Sequence, residues 1–197
     1  LDRIFASNAR LIKDPANMTR ACGGKPRRTS RPAAAAGGEL LQEASSGTEV
    51  SVDNEHLISA LGAVVGEANV LAGAEAMAGH LVDWRGRYRG TAVCVVRPST
   101  TAEVSAVVRL CAQAGVAMVP QGGNTSLCGA ATPTADGRSV VISLTRLNRV
   151  RAIDAANNTI TVEAGCLLQR VQEAAAAAGR LFPLSLAAEG SCQIGGN

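Results

Sequence analysis

A glycine-rich stretch near the middle of the chain has residue types suited to binding an anion. Pro120–Gly129 reads PQGGNTSLCG in one-letter code and follows a short apolar run, Val116–Val119. Successive glycines allow backbone conformations that other residues avoid, so several N–H groups can converge on one negative charge. The stretch is therefore interpreted as a cradle for a diphosphate. A surface turn that merely connects two strands is the alternative, because glycine-rich turns are common.

The spacing of this loop excludes two familiar phosphate-binding motifs. A P-loop requires G-x-x-x-x-G-K-[ST], and no Lys follows any of these glycines. The dinucleotide fingerprint G-x-G-x-x-G requires a helix that opens at its third glycine. Thr132–Gly137 reads TPTADG, which is typical of a turn instead. Neither motif accounts for the loop.

The segments before the loop predict a strand, a helix and a second strand. Val93–Val96 is a continuous apolar run typical of a buried strand. Thr100 and Glu103 have the spacing of a capping box, and the helix they begin is expected to end at Gly115. Val116–Val119 is the next strand. This order places the glycine-rich loop at the carboxyl end of a strand, where such units usually bind ligands.

The segments after the loop predict three strands and one helix. The strands are expected at Val140–Leu144, Arg149–Asp154 and Thr159–Glu163, with a hairpin turn at Ala155–Asn158. A helix over Leu167–Ala178 follows, and its apolar positions share one face. A second glycine-rich stretch then lies at the end of the chain. Two such loops across one domain suit a cofactor that is bound from two sides.

Three regions are expected along the chain. Residues 1–50 are rich in Gly, Pro, Ser and Arg, which predicts a disordered basic tail. Residues 51–90 are expected to be a helical segment, with helices over Asn54–Val65 and Ala74–Val82. Residues 91–197 are expected to form the ligand-binding domain.

An arginine-rich segment, Asp83–Gly90, joins the helical segment to the domain. It reads DWRGRYRG and holds three arginines and two aromatic residues. One interpretation makes Arg85, Arg87 or Arg89 a clamp for an acidic substrate or a cofactor phosphate. The preferred interpretation is a solvated basic loop whose aromatic residues anchor it to the domain.

The net charge of +3 is distributed unevenly. Residues 1–38 hold eight Lys or Arg and two acidic residues, a net charge of +6, while residues 39–197 hold eleven Arg and fourteen acidic residues, a net charge of −3. The domain is mildly acidic, so nucleic-acid binding is disfavoured. The basic start of the chain resembles an organelle transit peptide. A tail, or residues before Met18 that are not naturally translated, is the preferred interpretation.

Cysteine and histidine usage argues against a metal site and against secretion. The six cysteines form no C-x-x-C pair, and there are two histidines. Without a disulfide framework, a reducing compartment is expected, which means the cytoplasm, or an organelle matrix if the transit peptide is genuine. No apolar run approaches the roughly 18 residues of a membrane span, so none is expected.

Five motifs, in order, resemble the first half of the flavin-binding domain shared by vanillyl-alcohol oxidase-type and hydroxyacid dehydrogenase flavoproteins, the PCMH-type FAD-binding domain. They span 93–197. The loops QGGNT and EGSCQIGGN resemble those of the D-lactate and D-2-hydroxyglutarate dehydrogenase branch. The motifs are VVRPSTTAEVSAVVRLC (Val95–Cys111), PQGGNTSLCG (Pro120–Gly129), VVISLTRLNRV (Val140–Val150), TITVEAGCLLQRV (Thr159–Val171) and FPLSLAAEGSCQIGGN (Phe182–Asn197).

This resemblance implies an α+β fold and FAD as the cofactor. A small β-α-β subdomain is expected, followed by a subdomain with a mixed or antiparallel sheet and helices, truncated on its C-terminal side. A disordered tail and helices would precede it. The residues implied in cofactor binding are Pro120, Gln121, Gly122, Gly123, Asn124, Thr125, Ser126, Gly129, Gly190, Ser191, Ile194, Gly195, Gly196 and Asn197.

The resemblance also implies how the cofactor is held and where catalysis occurs. Many relatives carry His where Asn124 stands, and some attach flavin covalently through it. Asn cannot form that bond, so the expected FAD is noncovalent. The groups that bind the substrate carboxylate and take its hydroxyl proton, with a metal site in some members, would lie beyond residue 197. No catalytic or metal residue is therefore assigned, and Glu163 and Glu189 are given structural roles.

Three classes of function remain open. The first is a fragment of an FAD-dependent 2-hydroxyacid dehydrogenase, with a small hydroxy acid as substrate and an unidentified electron acceptor. The second is a non-catalytic flavin-binding half-domain that is natural at this length. The third is a structural module in which the glycine loops are only turns. Another flavoenzyme of the same fold, a cell-wall precursor reductase or an ether-lipid synthase, competes within the first class.

Overall fold

The structure, a computed structural model, describes residues 6–11 and 54–197, and no helix in this part of the chain is long and apolar enough to cross a membrane. Its strands are β1 (Ala6–Arg10), β2 (Val70–Leu71), β3 (Cys94–Val96), β4 (Ala117–Gln121), β5 (Ser139–Ser143), β6 (Val150–Asp154) and β7 (Thr159–Glu163). Its helices are α1 (Asn54–Val65), α2 (Ala74–Met77), α3 (Thr101–Gln113) and α4 (Leu168–Ala177), with 3₁₀ turns at Glu67–Asn69, Ala78–His80 and Ile194–Gly196.

A four-stranded sheet in the order β2-β3-β5-β4 positions the first glycine-rich loop. Strands β3 and β4 both run parallel to β5, and β2 pairs antiparallel with β3. Because β4 is an edge strand, it tolerates Pro120, which has no N–H to donate. The strand expected at Val116–Val119 extends to Gln121, so Pro120 and Gln121 belong to β4 and the loop proper begins at Gly122.

Helices α1 and α3 cover one face of this sheet, and α2 lies on the other. On β3, Cys94 and Val96 face the two helices, while Val95 packs with Met77 of α2 on the opposite face. Burial raises the pKa of the Cys94 thiol to about 12, so Cys94 behaves as a small apolar side chain. The helix expected over Ala74–Val82 is shorter, because the chain continues from α2 as a 3₁₀ turn.

The start of α3 forms a variant of the predicted capping box. The Thr100 side chain accepts a hydrogen bond from the backbone N–H of Glu103, as the spacing predicts (3.1 Å). The carboxylate of Glu103 reaches back one residue further than expected, to the backbone N–H of Ser99 (2.7 Å). The helix therefore begins at the predicted residue, with the terminal N–H of Glu103 satisfied and with the N–H of Ser99, just before the cap, paired as well.

A three-stranded antiparallel sheet, in the order β1-β7-β6, forms a second layer. The predicted hairpin turn joins β6 to β7, and Asn158 adopts a left-handed conformation there (φ 53°). Helix α4 packs on this sheet through buried residues such as Leu168 and Val171, which share a core with Ile160 and Val162 of β7.

The structure has a short strand, β1, within residues 1–50, most of which were expected to be disordered. Ala6–Arg10 pairs antiparallel with β7, from Ala6 opposite Glu163 to Arg10 opposite Thr159. Without β1, one edge of β7 would have unpaired N–H and C=O groups, and β1 pairs with them. The composition of residues 1–50 does not predict this pairing. The rest of that expectation falls on residues outside the described part of the chain.

Candidate cofactor site

The two glycine-rich loops touch each other at Gly123. A Cβ atom on Gly123 would lie 1.9 Å from the carbonyl oxygen of Ser191 and 3.2 Å from the Cα of Cys192. Only glycine permits this approach, because both obstacles are backbone atoms. The fold thus brings together the two loops that the sequence singles out.

The first loop presents a row of backbone donors. Within residues 6–11 and 54–197, the N–H groups of Gly122–Ser126 donate no hydrogen bond to the protein. The five residues are half-buried, and backbone donors that folding removes from water are nearly always paired. Converging N–H groups bind anions. The loop therefore fits the diphosphate of a nucleotide cofactor.

Gln121 holds the two ends of this loop in place. Its side-chain Nε2 donates to the carbonyl oxygens of His80 (2.9 Å) and Ala131 (2.8 Å). Since both hydrogens of this amide point at carbonyl groups, Oε1 must accept from Nδ1 of His80 (2.5 Å). Gln121 was predicted to contact the cofactor. The structure buries its side chain, only 2% exposed, in these internal hydrogen bonds.

Among the described residues, only the Nδ2 end of the Asn124 amide is hydrogen-bonded. Asn124 adopts a left-handed backbone conformation (φ 53°), and its Nδ2 donates to the carbonyl oxygens of Val82 (2.8 Å) and Gly79 (3.4 Å). Its Oδ1 is buried and has no partner among the described residues. A buried acceptor without a donor is unfavourable, so this atom is suited to a donor on a bound ligand.

Three other predicted residues shape the loop. The Ser126 hydroxyl accepts from the backbone N–H groups of Cys128 and Ala130, each at 3.3 Å. Gly129 has a φ of 72°, and a Cβ there would lie 2.6 Å from the ring of Tyr88, so this glycine leaves room for an aromatic side chain. The Thr125 hydroxyl makes no hydrogen bond within the described segments, which leaves it available to a ligand.

The arginine-rich segment is fastened to the loop, in keeping with one part of the preferred interpretation. The buried carboxylate of Asp83 accepts from the backbone N–H of Tyr88 (2.8 Å), and this bond is the main cause that lowers the pKa of Asp83. Arg85 donates to the carbonyl oxygen of Leu127 (2.5 Å). Tyr88 packs on the loop, whereas Trp84 is 63% exposed.

The second loop uses most of its backbone donors internally. The N–H of Ile194 donates to Cys166 O (2.9 Å) and that of Gly195 to Ala164 O (2.8 Å). Ser191 and Gly196 also donate to carbonyl groups within the loop. The second loop therefore contributes side chains and the backbone contact of Ser191 with Gly123 to the site. Most of its own N–H groups are already paired. All the residues that the sequence singles out in this loop stay predicted cofactor contacts: Gly190, Ser191, Ile194, Gly195, Gly196 and Asn197.

Gln193 is a residue of the site that the sequence interpretation missed. It is 6% exposed and lies against Gly122, where a Cβ would be 3.3 Å from both Cβ and Oε1 of Gln193. Its Oε1 is buried and has no partner in the described part of the chain. The sequence did hold one signal for Gln193: it is a long polar residue between Cys192 and Ile194, which both belong to the core.

Glu163 has the structural role that the sequence interpretation gave it. Its side chain is fully buried and accepts from the backbone N–H of Arg149 (2.9 Å) and from Nη2 of Arg149 (2.8 Å) and Arg151 (3.4 Å). Burial raises the pKa of Glu163, but the hydrogen bonds and charge of Arg149 outweigh it and hold the pKa below its ordinary value. Glu189 accepts from Nε2 of Gln172 (3.3 Å).

Comparison with known proteins also indicates a cofactor-binding domain. A family model described as "FAD binding domain" matches residues 92–197. "Probable D-2-hydroxyglutarate dehydrogenase, mitochondrial" of Oryza sativa subsp. indica is 37% identical over 147 residues, which are 75% of this chain and 26% of that protein. "D-2-hydroxyglutarate dehydrogenase" of Xanthomonas citri pv. viticola is 43% identical over 115 residues, 58% of this chain and 24% of that protein. The chain spans about a quarter of the length of these relatives.

Solved structures confirm the expected α+β fold. An alkyldihydroxyacetonephosphate synthase superposes with a TM-score of 0.66 at 19% identity, covering 84% of this chain and 32% of that one. At this identity the likeness concerns the fold alone.

Proposed function

Because the chain belongs to the FAD binding domain family, whose model matches residues 92–197, we propose that it is the cofactor-binding part of a dehydrogenase that oxidises a D-2-hydroxy acid. The single observation that supports cofactor binding most directly is that the N–H groups of Gly122–Ser126 donate to no group in the described part of the chain. The choice of substrate class is supported by the names of the rice and Xanthomonas relatives.

In this proposal the chain binds and positions the cofactor. The N–H groups of Gly122–Ser126 offset the negative charge of the diphosphate, and the Thr125 hydroxyl adds a donor. Gln121 keeps the loop closed, and Gly123 keeps it against the second loop. The bound FAD supplies the acceptor for the hydride that leaves the substrate. No residue of this chain is proposed as the catalytic base.

A titration and a reduction assay test the proposal on the complete product of the gene that encodes this chain. We expect FAD to bind with quenching of its fluorescence. Adding D-2-hydroxyglutarate or D-lactate without oxygen should then bleach the visible absorbance of the flavin, while the L enantiomers should not. FAD binding without bleaching by any 2-hydroxy acid would support the half-domain instead. A folded protein without affinity for FAD would overturn the proposal.

The flavin is expected to be noncovalent, because Asn124 has no ring nitrogen that could bond to it. Precipitation of the FAD-loaded protein with acid should release all of the flavin into the supernatant. A flavoprotein with a histidyl-linked flavin serves as the control that retains colour in the pellet. Flavin that stays with the precipitated chain would show that another residue forms the bond.

We propose that the protein is located in an organelle matrix. The name of the rice relative includes "mitochondrial", and residues 1–38 have the Arg-rich and acid-poor composition of a transit peptide. The cytoplasm, expected from cysteine usage, is the alternative.

A further inference from the structure

Two side-chain oxygens on the touching loops have no hydrogen-bond donor among the described residues. They are Oδ1 of Asn124, from the first loop, and Oε1 of Gln193, from the second, and both are buried. Within the described residues, four buried side-chain polar atoms lack a partner, and these two lie on the loops themselves. Buried polar atoms are usually paired, so an unpaired buried acceptor on each of two touching loops calls for an explanation.

The free atom of Asn124 is an acceptor because of its surroundings. Its Nδ2 faces the carbonyl oxygens of Val82 and Gly79, which only a donor can satisfy. The opposite side of the amide is therefore the oxygen. Gln193 is 6% exposed, and the structure places its Oε1 over Gly122, where a Cβ would lie 3.3 Å from that oxygen.

The chemistry of these oxygens separates them from the N–H groups of the first loop. A carbonyl-type oxygen repels a phosphate oxygen, because both are acceptors, and it attracts hydroxyl and N–H groups. The loops therefore offer donors along Gly122–Ser126 and acceptors at Asn124 and Gln193. A diphosphate fits the donors alone.

We propose that Gln193, together with Asn124, forms a second subsite that accepts hydrogen bonds from neutral donor groups of the cofactor, its hydroxyl or ring N–H groups. This inference rests on the proposed function, because FAD is the ligand that carries both the diphosphate and such donors. Gln193 is then a cofactor-binding residue beside those of the first loop. In the absence of ligand its oxygen weakens the fold, because it is buried and unpaired.

The substitution Gln193→Met tests this subsite in the complete gene product, because Met has a similar length and no strong acceptor. We expect the dissociation constant for FAD to rise about tenfold, the effect of losing one buried hydrogen bond. The melting temperature without FAD should stay the same or rise. Gln113→Met, at the exposed end of α3, is the matched control and should change neither quantity.

Riboflavin and ADP then identify which half of the cofactor supplies the donor. If the variant loses affinity for riboflavin and keeps it for ADP, the donor belongs to the flavin half. The reverse result assigns it to the adenosine half, and either result supports the subsite. An unchanged affinity for both halves, with a loss for FAD, would place Gln193 at the diphosphate and overturn it.

The outcomes separate this inference from the proposed function. If the wild-type protein binds FAD and Gln193→Met binds it equally well, the subsite is wrong and the proposed function stands. If the variant melts lower without FAD and binds FAD weakly, Gln193 is a structural residue and the subsite is again wrong. If the wild-type protein does not bind FAD, both proposals fail.

Discussion

Replacing Gly123 with Ala is expected to weaken FAD binding about 100-fold, since an overpacked contact costs up to about 3 kcal/mol and each 1.4 kcal/mol is a factor of ten. The added Cβ would lie 1.9 Å from the carbonyl oxygen of Ser191. A backbone carbonyl cannot swing aside as a flexible side chain can, so the two loops must move apart. The N–H groups of Gly122–Ser126 then no longer converge on one diphosphate. A fluorescence titration with FAD measures the loss.

Gly79 provides the matched control for this substitution. Nothing lies within 4 Å of the position of its Cβ, and its φ is not in the positive range. Gly79→Ala should therefore keep the wild-type affinity although Gly79 is close to the site. If Gly123→Ala also binds FAD as the wild-type protein does, the close contact between the two loops does not position the cofactor, and this part of the site is wrong.

Local patterns in the sequence predicted the regular elements well. Strand β7 has the predicted bounds, Thr159–Glu163, because apolar residues alternate there between turn signals. Helix α3 begins at the residue after Thr100, because the cap depends on side chains within one turn of the helix. Such features are set by neighbours in the chain.

Features that depend on distant residues could not be predicted in this way. The contact of Gly123 with Ser191 joins positions 68 residues apart, and no local pattern specifies it. The pairing of β1 with β7 also needs a partner far along the chain. Gln193 was missed for the same reason, because its importance arises from Gly122 and from the buried state of its oxygen, both consequences of tertiary packing.

The largest effect on stability is expected from Glu163. Glu163→Gln should lower the free energy of unfolding by about 2–3 kcal/mol, because it removes one partner of a buried ion pair and turns amide hydrogens toward donors of Arg149. The estimate is at the low end for such pairs, because the Arg149 side chain is 69% exposed and stays hydrated. Glu173→Gln, on the exposed side of α4, is the control and should stay within about 0.5 kcal/mol of the wild type. Urea unfolding at neutral pH measures both.

The pH dependence of the same variant separates the charge of Glu163 from its shape. Since the pKa of Glu163 is lowered in the folded protein, its carboxylate stabilises the fold at any pH above the unfolded pKa, about 4.3. That contribution is lost as the pH falls through the folded pKa. The difference in unfolding free energy between wild type and Glu163→Gln should therefore be constant near neutral pH and shrink below about pH 4.3. A difference that stays constant into acid would mean that the substitution acts through packing, and the ion pair would then contribute nothing.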